Sequence, residues 1–214
     1  MSLPKWLIPA AVFLALTWLT TDAARAQGYY LGGPTNTSEG FKLRLQSDEP
    51  LGSQAAQRAF VTFGTNQFTF VLPPGFGIDA SNPQKIVLAN ADYSCYLTFQ
   101  LSGPLPGGLW GLNSDAYREL ASSQRPGAII LNQFSQRAAN HDGPAFDLQW
   151  TNSSGSAQSG RVAFIPSPAG VLEFSMASNP DTVRDGQYAL NWMMLTFRSN
   201  EGGKLEINRL SDKY

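Results

Sequence analysis

Residues 94–102 read Ser94-Cys95-Tyr96-Leu97-Thr98-Phe99-Gln100-Leu101-Ser102. Cys95, Leu97, Phe99 and Leu101 share one side, while Ser94, Tyr96, Thr98 and Gln100 share the other. That period of two belongs to a strand with one face on a core; a helix would scatter the same apolar residues around its circumference.

The same signal recurs on either side. Upstream, Phe41, Leu43 and Leu45 alternate with Lys42, Arg44 and Gln46, and Phe68, Phe70 and Leu72 alternate with Gln67, Thr69 and Val71 until Pro73-Pro74-Gly75 stops the run. Between them Gln54–Ala59 is helix-compatible and leads into Phe60–Phe63. Phe76–Ile78 and Lys85–Ala89 continue the pattern. Downstream, strands are expected over Ala128–Arg137, Ala145–Thr151, Gly160–Ile165 and Gly170–Ala177, with a last short one over Lys204–Leu210.

Two stretches change period. Tyr117, Leu120 and Ala121 fall on one helical face after Asn113, Ser114 and Asp115, so a helix is expected from Ser114 to Gln124, ended by Arg125-Pro126-Gly127. Asn179-Pro180-Asp181 opens a second, whose stripe is Val183, Leu190, Met193, Met194 and Phe197. Antiparallel strands flanked by helices make an α+β domain.

The N-terminal end has a different grammar. Lys5 precedes an apolar run from Trp6 to Leu19, and small residues follow, ending in Ala24-Arg25-Ala26. This order reads as a secretory signal peptide over residues 1–26, cleaved before Gln27. The run is shorter than the roughly 20 residues a membrane span needs, and Pro9 interrupts it. Gln27 in place of cysteine argues against a lipid anchor. The expectation is an exported protein, periplasmic or extracellular, with no stable membrane insertion after cleavage. Residues 27–40 form a Gly-, Pro- and Ser-rich lead-in and residues 41–65 an N-terminal extension.

Loss of Lys5, Arg25 and Asp22 with the leader takes the formal net charge from −1 to about −2. With no run of Lys or Arg, a nucleic-acid footprint is not expected. A single cysteine, Cys95, makes no internal disulfide and sits on the apolar side of its strand, as a buried small hydrophobe would.

The segment Phe68-Thr69-Phe70-Val71-Leu72-Pro73 followed by Gly75-Phe76 resembles the first strand of PsbP-like domains, where F-x-x-x-x-P and then an aromatic residue recur. The helix end Met194-Leu195-Thr196-Phe197-Arg198 resembles that family's M-L-x-S-F. The resemblance spans Asn66–Ser199 and makes residues 66–214 a PsbP-like domain. It implies an antiparallel sheet between helices, an α/β/α sandwich. The family's members are mostly non-enzymatic: extrinsic photosystem II subunits, assembly factors and a nuclear relative that binds a small GTPase. It supplies no catalytic residue. After the leader the lysines are Lys42, Lys85, Lys204 and Lys213, too few to imply the lysine-dependent photosystem docking of plant members.

The sole histidine lies in Asn140-His141-Asp142-Gly143-Pro144, which has the composition of a turn. Its functional reading is a proton shuttle, or half of a metal site, with Asp142 or Asp147. Trp110, inside the glycine-rich Gly103–Gly111, is either a cap on the core or an exposed recognition residue. Asn152–Ser156 lacks G-x-S-x-G and reads as a hairpin loop; Gly107, Gly108 and Gly111 lack the Lys-Ser/Thr of a phosphate loop. Asp181 and Asp185, four apart, read as a charged helix face with Arg184. No pattern for a metal or cofactor is present. Trp110, His141 and Asp142 are therefore candidates for ligand or partner contact. The expected function is that of an exported, non-catalytic binding or accessory module for an envelope protein or small ligand. The alternatives are a secreted hydrolase-type enzyme using His141 with a carboxylate, and a structural envelope protein.

Overall fold

The Cys95–Ser102 strand finds its neighbours from both directions along the chain. Lys85–Asn90 pairs with one edge, and Gly170–Ser178 with the other, placing Phe99 opposite Ile86 and Phe174. The computed structural model describes residues 42–47, 56–82, 85–102, 114–168 and 170–200. The expected leader and lead-in, Trp110 and the strand expected over Lys204–Leu210 lie outside the described residues.

In chain order the strands are β1 (Lys42–Ser47), β2 (Gln57–Phe63), β3 (Asn66–Val71), β4 (Phe76–Asp79), β5 (Lys85–Asn90) and β6 (Cys95–Ser102). Helix α1 (Ser114–Ser123) follows, then β7 (Ile129–Ala138), β8 (His141–Thr151), β9 (Ala157–Ser167) and β10 (Gly170–Ser178). A single 3-10 turn over Pro180–Thr182 leads into helix α2 (Val183–Thr196) and β11 (Arg198–Asn200). Two antiparallel meanders, β4-β5-β6 and β7-β8-β9-β10, join where β6 meets β10, giving the seven-stranded order β4-β5-β6-β10-β9-β8-β7. The other four strands form their own sheet in the order β1-β2-β3-β11.

Register fixes what each face of the large sheet carries. Leu97, Met176, Arg161 and Asp147 line up across one face, as do Phe99, Phe174, Ala163 and Ala145. That face packs against α2 and against Ala59, Val61, Phe68 and Phe70 of the smaller sheet. Phe197, just past α2, stands at the junction: its ring lies 4.8 Å from Phe174, 5.0 Å from Phe99 and 5.7 Å from Phe68. Burying each such ring stabilises the fold by roughly 1.5–3 kcal/mol. Thr196 ties the same joint, its Oγ1 accepting from the Val71 amide at 3.1 Å and donating to the Trp192 carbonyl at 3.0 Å. α2 lies close on the sheet because residue 186 is glycine; a Cβ there would come within 2.9 Å of Cys95 Sγ and 3.0 Å of Met176 Sδ.

The opposite face carries a smaller cluster, Phe146, Leu148, Val162, Phe164 and Val171, under Tyr117 and Ala121 of α1. Tyr117 stacks on Phe164 with ring centroids 5.4 Å apart.

The α/β/α sandwich expected from the sequence is not what forms. The described residues are 59% strand and 20% helix, a β-rich fold in two sheets with α2 as its flanking helix. The reason lies in β1 to β3. Their apolar residues join the main core on the side where a helical layer was expected, so α2 shares that side with a second sheet. α1 is too short to make a layer and covers only the satellite cluster.

Two local expectations also change. Of the helix-compatible Gln54–Ala59, residues 57–59 belong to β2, where Ala59 pairs with Leu45 on one side and Phe70 on the other. Ladder pairing on both edges outweighs a weak local helix preference. The Asn179 side chain does not cap a helix; its Oδ1 accepts from Gln158 Nε2 at 3.2 Å, and the 3-10 turn starts the helix instead.

Candidate functional site

His141 is not in a turn. The β7–β8 hairpin closes through Ala139 and Asn140, both at positive φ (48° and 66°), and His141 already pairs with Ala138 as the first residue of β8. Two central residues at positive φ match the twist of the flanking strands, so of the residues whose composition suggested a turn only Asn140 is in it, with Ala139 before it. Gly143 serves the strand, since a Cβ there would collide with the Phe164 carbonyl.

This placement commits both carboxylates considered for the histidine to arginines. Asp142 follows His141 directly, so the two side chains point to opposite faces of β8. Its carboxylate accepts two hydrogen bonds from its cross-strand neighbour Arg137, at 2.9 and 2.8 Å. Those bonds hold the Asp142 carboxyl below its ordinary range. Asp147 shares the face of His141 but lies six residues along the strand, about 20 Å away. It too is held by an arginine across the ladder, Arg161 Nε donating at 2.7 Å and Nη2 at 3.1 Å. This second pair is mostly buried, and the Arg161 guanidinium also lies 4.6 Å over the Phe134 ring.

On the α1 side a carboxylate is taken out of water. Glu173 is only 4% exposed, and its Oε2 accepts from Gln100 Nε2 at 2.6 Å and Gln124 Nε2 at 3.1 Å. Thr98 and Ser175 hydroxyls are hydrogen-bonded to each other on the same face. Arg125, at the end of α1, has its guanidinium 5.7 Å from the Trp150 ring; burial lowers its pKa and Glu173 opposes that shift. Cys95 is buried, and burial, followed by the charges of Asp185 and Asp92, pushes its thiol up to about 11.

Open apolar surface lies at β7, the last strand in the order of the seven-stranded sheet, as it does at Tyr188 and Leu195 of α2. Ile129 is 66% and Leu131 57% exposed; two apart on the strand, they share one face, and the register slips between Ile130 and Asn132 beside them. Beside them is a cleft of about 270 Å³ lined by Ile129, Gln149, Trp150, Gln158, Ser159 and Pro180 among others. The sequence showed an apolar run at 128–131 but not the bulge, which needs the partner strand to be seen. Asp181 and Asp185 lie in the 3-10 turn and in α2 respectively, both exposed. Among the described residues no group of three or more His, Cys, Asp or Glu could hold a metal ion, and no helix is long and apolar enough to cross a membrane.

No protein-family model matches the chain, and no curated protein matches it in sequence. Solved structures do show likenesses. The solution structure of cyanobacterial PsbP (CyanoP) from Synechocystis sp. PCC 6803 is 12% identical, with a TM-score of 0.42 over 81% of this chain and 100% of that one. The crystal structure of PA94 from Pseudomonas aeruginosa, a protein of unknown function titled a putative regulator, is 16% identical, with a TM-score of 0.38 over 69% of this chain and 90% of that one. Neither likeness assigns an activity or a partner to this chain.

Proposed function

We propose that the chain is an exported, non-catalytic binding module that meets a partner protein of the cell envelope through the β7 edge. The observation that carries this reading is the exposure of Ile129 and Leu131 at the bulged end of that strand, beside the Trp150 cleft. Large aliphatic side chains held in water on a rigid sheet edge favour burial against another surface. At about 270 Å³ the cleft is smaller than most pockets that engulf a small molecule, which favours a protein partner over a small ligand. The engagement of Asp142 and Asp147 by arginines favours binding over a hydrolase built on His141. Export rests on the signal-peptide grammar of residues 1–26, and a periplasmic or extracellular site follows from it.

The test is affinity capture from an envelope fraction, with the wild-type chain and an Ile129→Asp/Leu131→Asp variant as parallel baits. A protein retained by the wild type and lost by the folded variant supports the reading. Equal retention by both would remove β7 from the interface. N-terminal sequencing of the exported protein should begin at Gln27; a start at Met1 or Ser2 would overturn cleavage.

A further inference from the structure

The turn between β5 and β6 holds an aromatic residue where the backbone resists it. Tyr93 sits at φ 58°, a left-handed conformation that costs a bulky residue energy and persists only where surroundings impose it. The turn does impose it. The Tyr93 amide donates to the Asn90 carbonyl at 3.1 Å, the Ser94 amide to Asp92 Oδ1 at 3.0 Å, and the Cys95 amide to Asn90 Oδ1 at 3.0 Å. Asn90 Nδ2 donates to Ser94 Oγ at 2.9 Å, and the Asn179 amide braces the turn from β10, donating to the Ser94 carbonyl at 3.3 Å.

What this network displays is a pair of rings beside a fixed negative charge. Tyr93 and Tyr96 have centroids 6.4 Å apart and planes inclined by 36°, and they are 40% and 41% exposed. Hydrogen bonds from the Ser94 amide and hydroxyl hold the Asp92 carboxyl below its ordinary range, so it is ionised at neutral pH.

Elsewhere the chain shows which group such a set holds. At Arg161 a ring face (Phe134) and a carboxylate (Asp147) grip one guanidinium between them. The β5–β6 turn carries the same kinds of group, two partly exposed tyrosines and an exposed aspartate. We propose that Tyr93, Tyr96 and Asp92 form a binding site for an arginine side chain carried on a basic peptide segment of a partner. The flat guanidinium would stack on a tyrosine face and donate to Asp92, combining cation–π attraction with a charge-assisted hydrogen bond. An ammonium has no flat face and holds its water more tightly, so lysine fits the pair less well. Glycine would accept the φ of residue 93 without strain, so tyrosine there costs stability that glycine would not.

The site is distinct from the β7 edge, and its test does not depend on it. Ring resonances of the tyrosines are followed by NMR in the full chain as Ac-Gly-Arg-Gly-Arg-Gly-NH2 is added, with the citrulline and lysine versions as controls. Saturable shifts of Tyr93 and Tyr96 are expected with the arginine peptide and at least fivefold weaker binding with either control. Tyr93→Gly should keep or raise the unfolding midpoint while weakening binding at least fivefold; Tyr96→Ala and Asp92→Asn, which leave the strained residue alone, should weaken it as well. Rings that ignore the arginine peptide, or that respond equally to citrulline or lysine, would overturn the proposal. So would a folded Tyr93→Gly or Tyr96→Ala protein that binds as the wild type does.

Discussion

On one face of the seven-stranded sheet the alternating side chains meet a second sheet and α2; on the other they meet α1, over β8, β9 and β10. The first face is closed by interlocked phenylalanines around Phe197, while the second mixes a small apolar cluster with a buried carboxylate and, at its far side, an exposed tyrosine. Strands supply both faces with residues in equal number, so the difference comes from what was available to cover them. The covered face holds the fold, and the thinly covered one keeps polar and aromatic groups near water.

That contrast can be broken by truncation. Phe197→Ala removes the ring shared by both sheets and α2 and should cost about 3–5 kcal/mol in urea unfolding. Leu148→Ala, on the α1 side, should cost about 2–3 kcal/mol, since a small cluster near the surface collapses more readily around a lost side chain. A larger loss at Leu148 than at Phe197 would reverse the ranking of the faces.

A third test uses pH. The Cys95 thiol is raised from 9.0 to about 11 by burial on the closed face. Below pH 9 both folded and unfolded chains keep the proton; between about 9 and 11 the unfolded chain loses it first, so stability must fall as pH rises through that window. The loss is at most about 3 kcal/mol, and Cys95→Ala should remove it from the pH profile. An unchanged profile in that variant would mean the thiol is not sealed. The smallest effect is expected from Tyr117→Phe. The Tyr117 hydroxyl is buried with no hydrogen-bond partner among the described residues, so deleting it should leave stability within about 1 kcal/mol or raise it. A larger loss would reveal a polar contact in the α1 layer.

Much of this was legible from alternation alone. β3, β5, β6 and β10 fall where period two puts them, and α1 spans Ser114–Ser123 against an expectation of Ser114–Gln124. What alternation cannot say is which strands share a sheet. The hairpin of β2 and β3 carries the same pattern as β5 and β6, and only the smaller sheet's docking on the main core distinguishes them. The candidate site was hidden for the same reason. Arg137–Asp142 and Arg161–Asp147 are cross-strand pairs, visible only once register is known, and each engages its carboxylate with an arginine. Tyr93 gave no signal at all, because its distinction lies in a backbone angle rather than in a pattern of neighbours.

Gly186 sets α2 so low over Cys95 and Met176 that no reagent fits between helix and sheet. The thiol can therefore be alkylated only when the helix lifts. The rate of iodoacetamide labelling under native conditions becomes a clock for that event, and its ratio to the rate for an unfolded chain gives the free energy of opening. A residue without chemistry of its own thus offers a built-in gauge of how often the two sheets lose the helix that joins them.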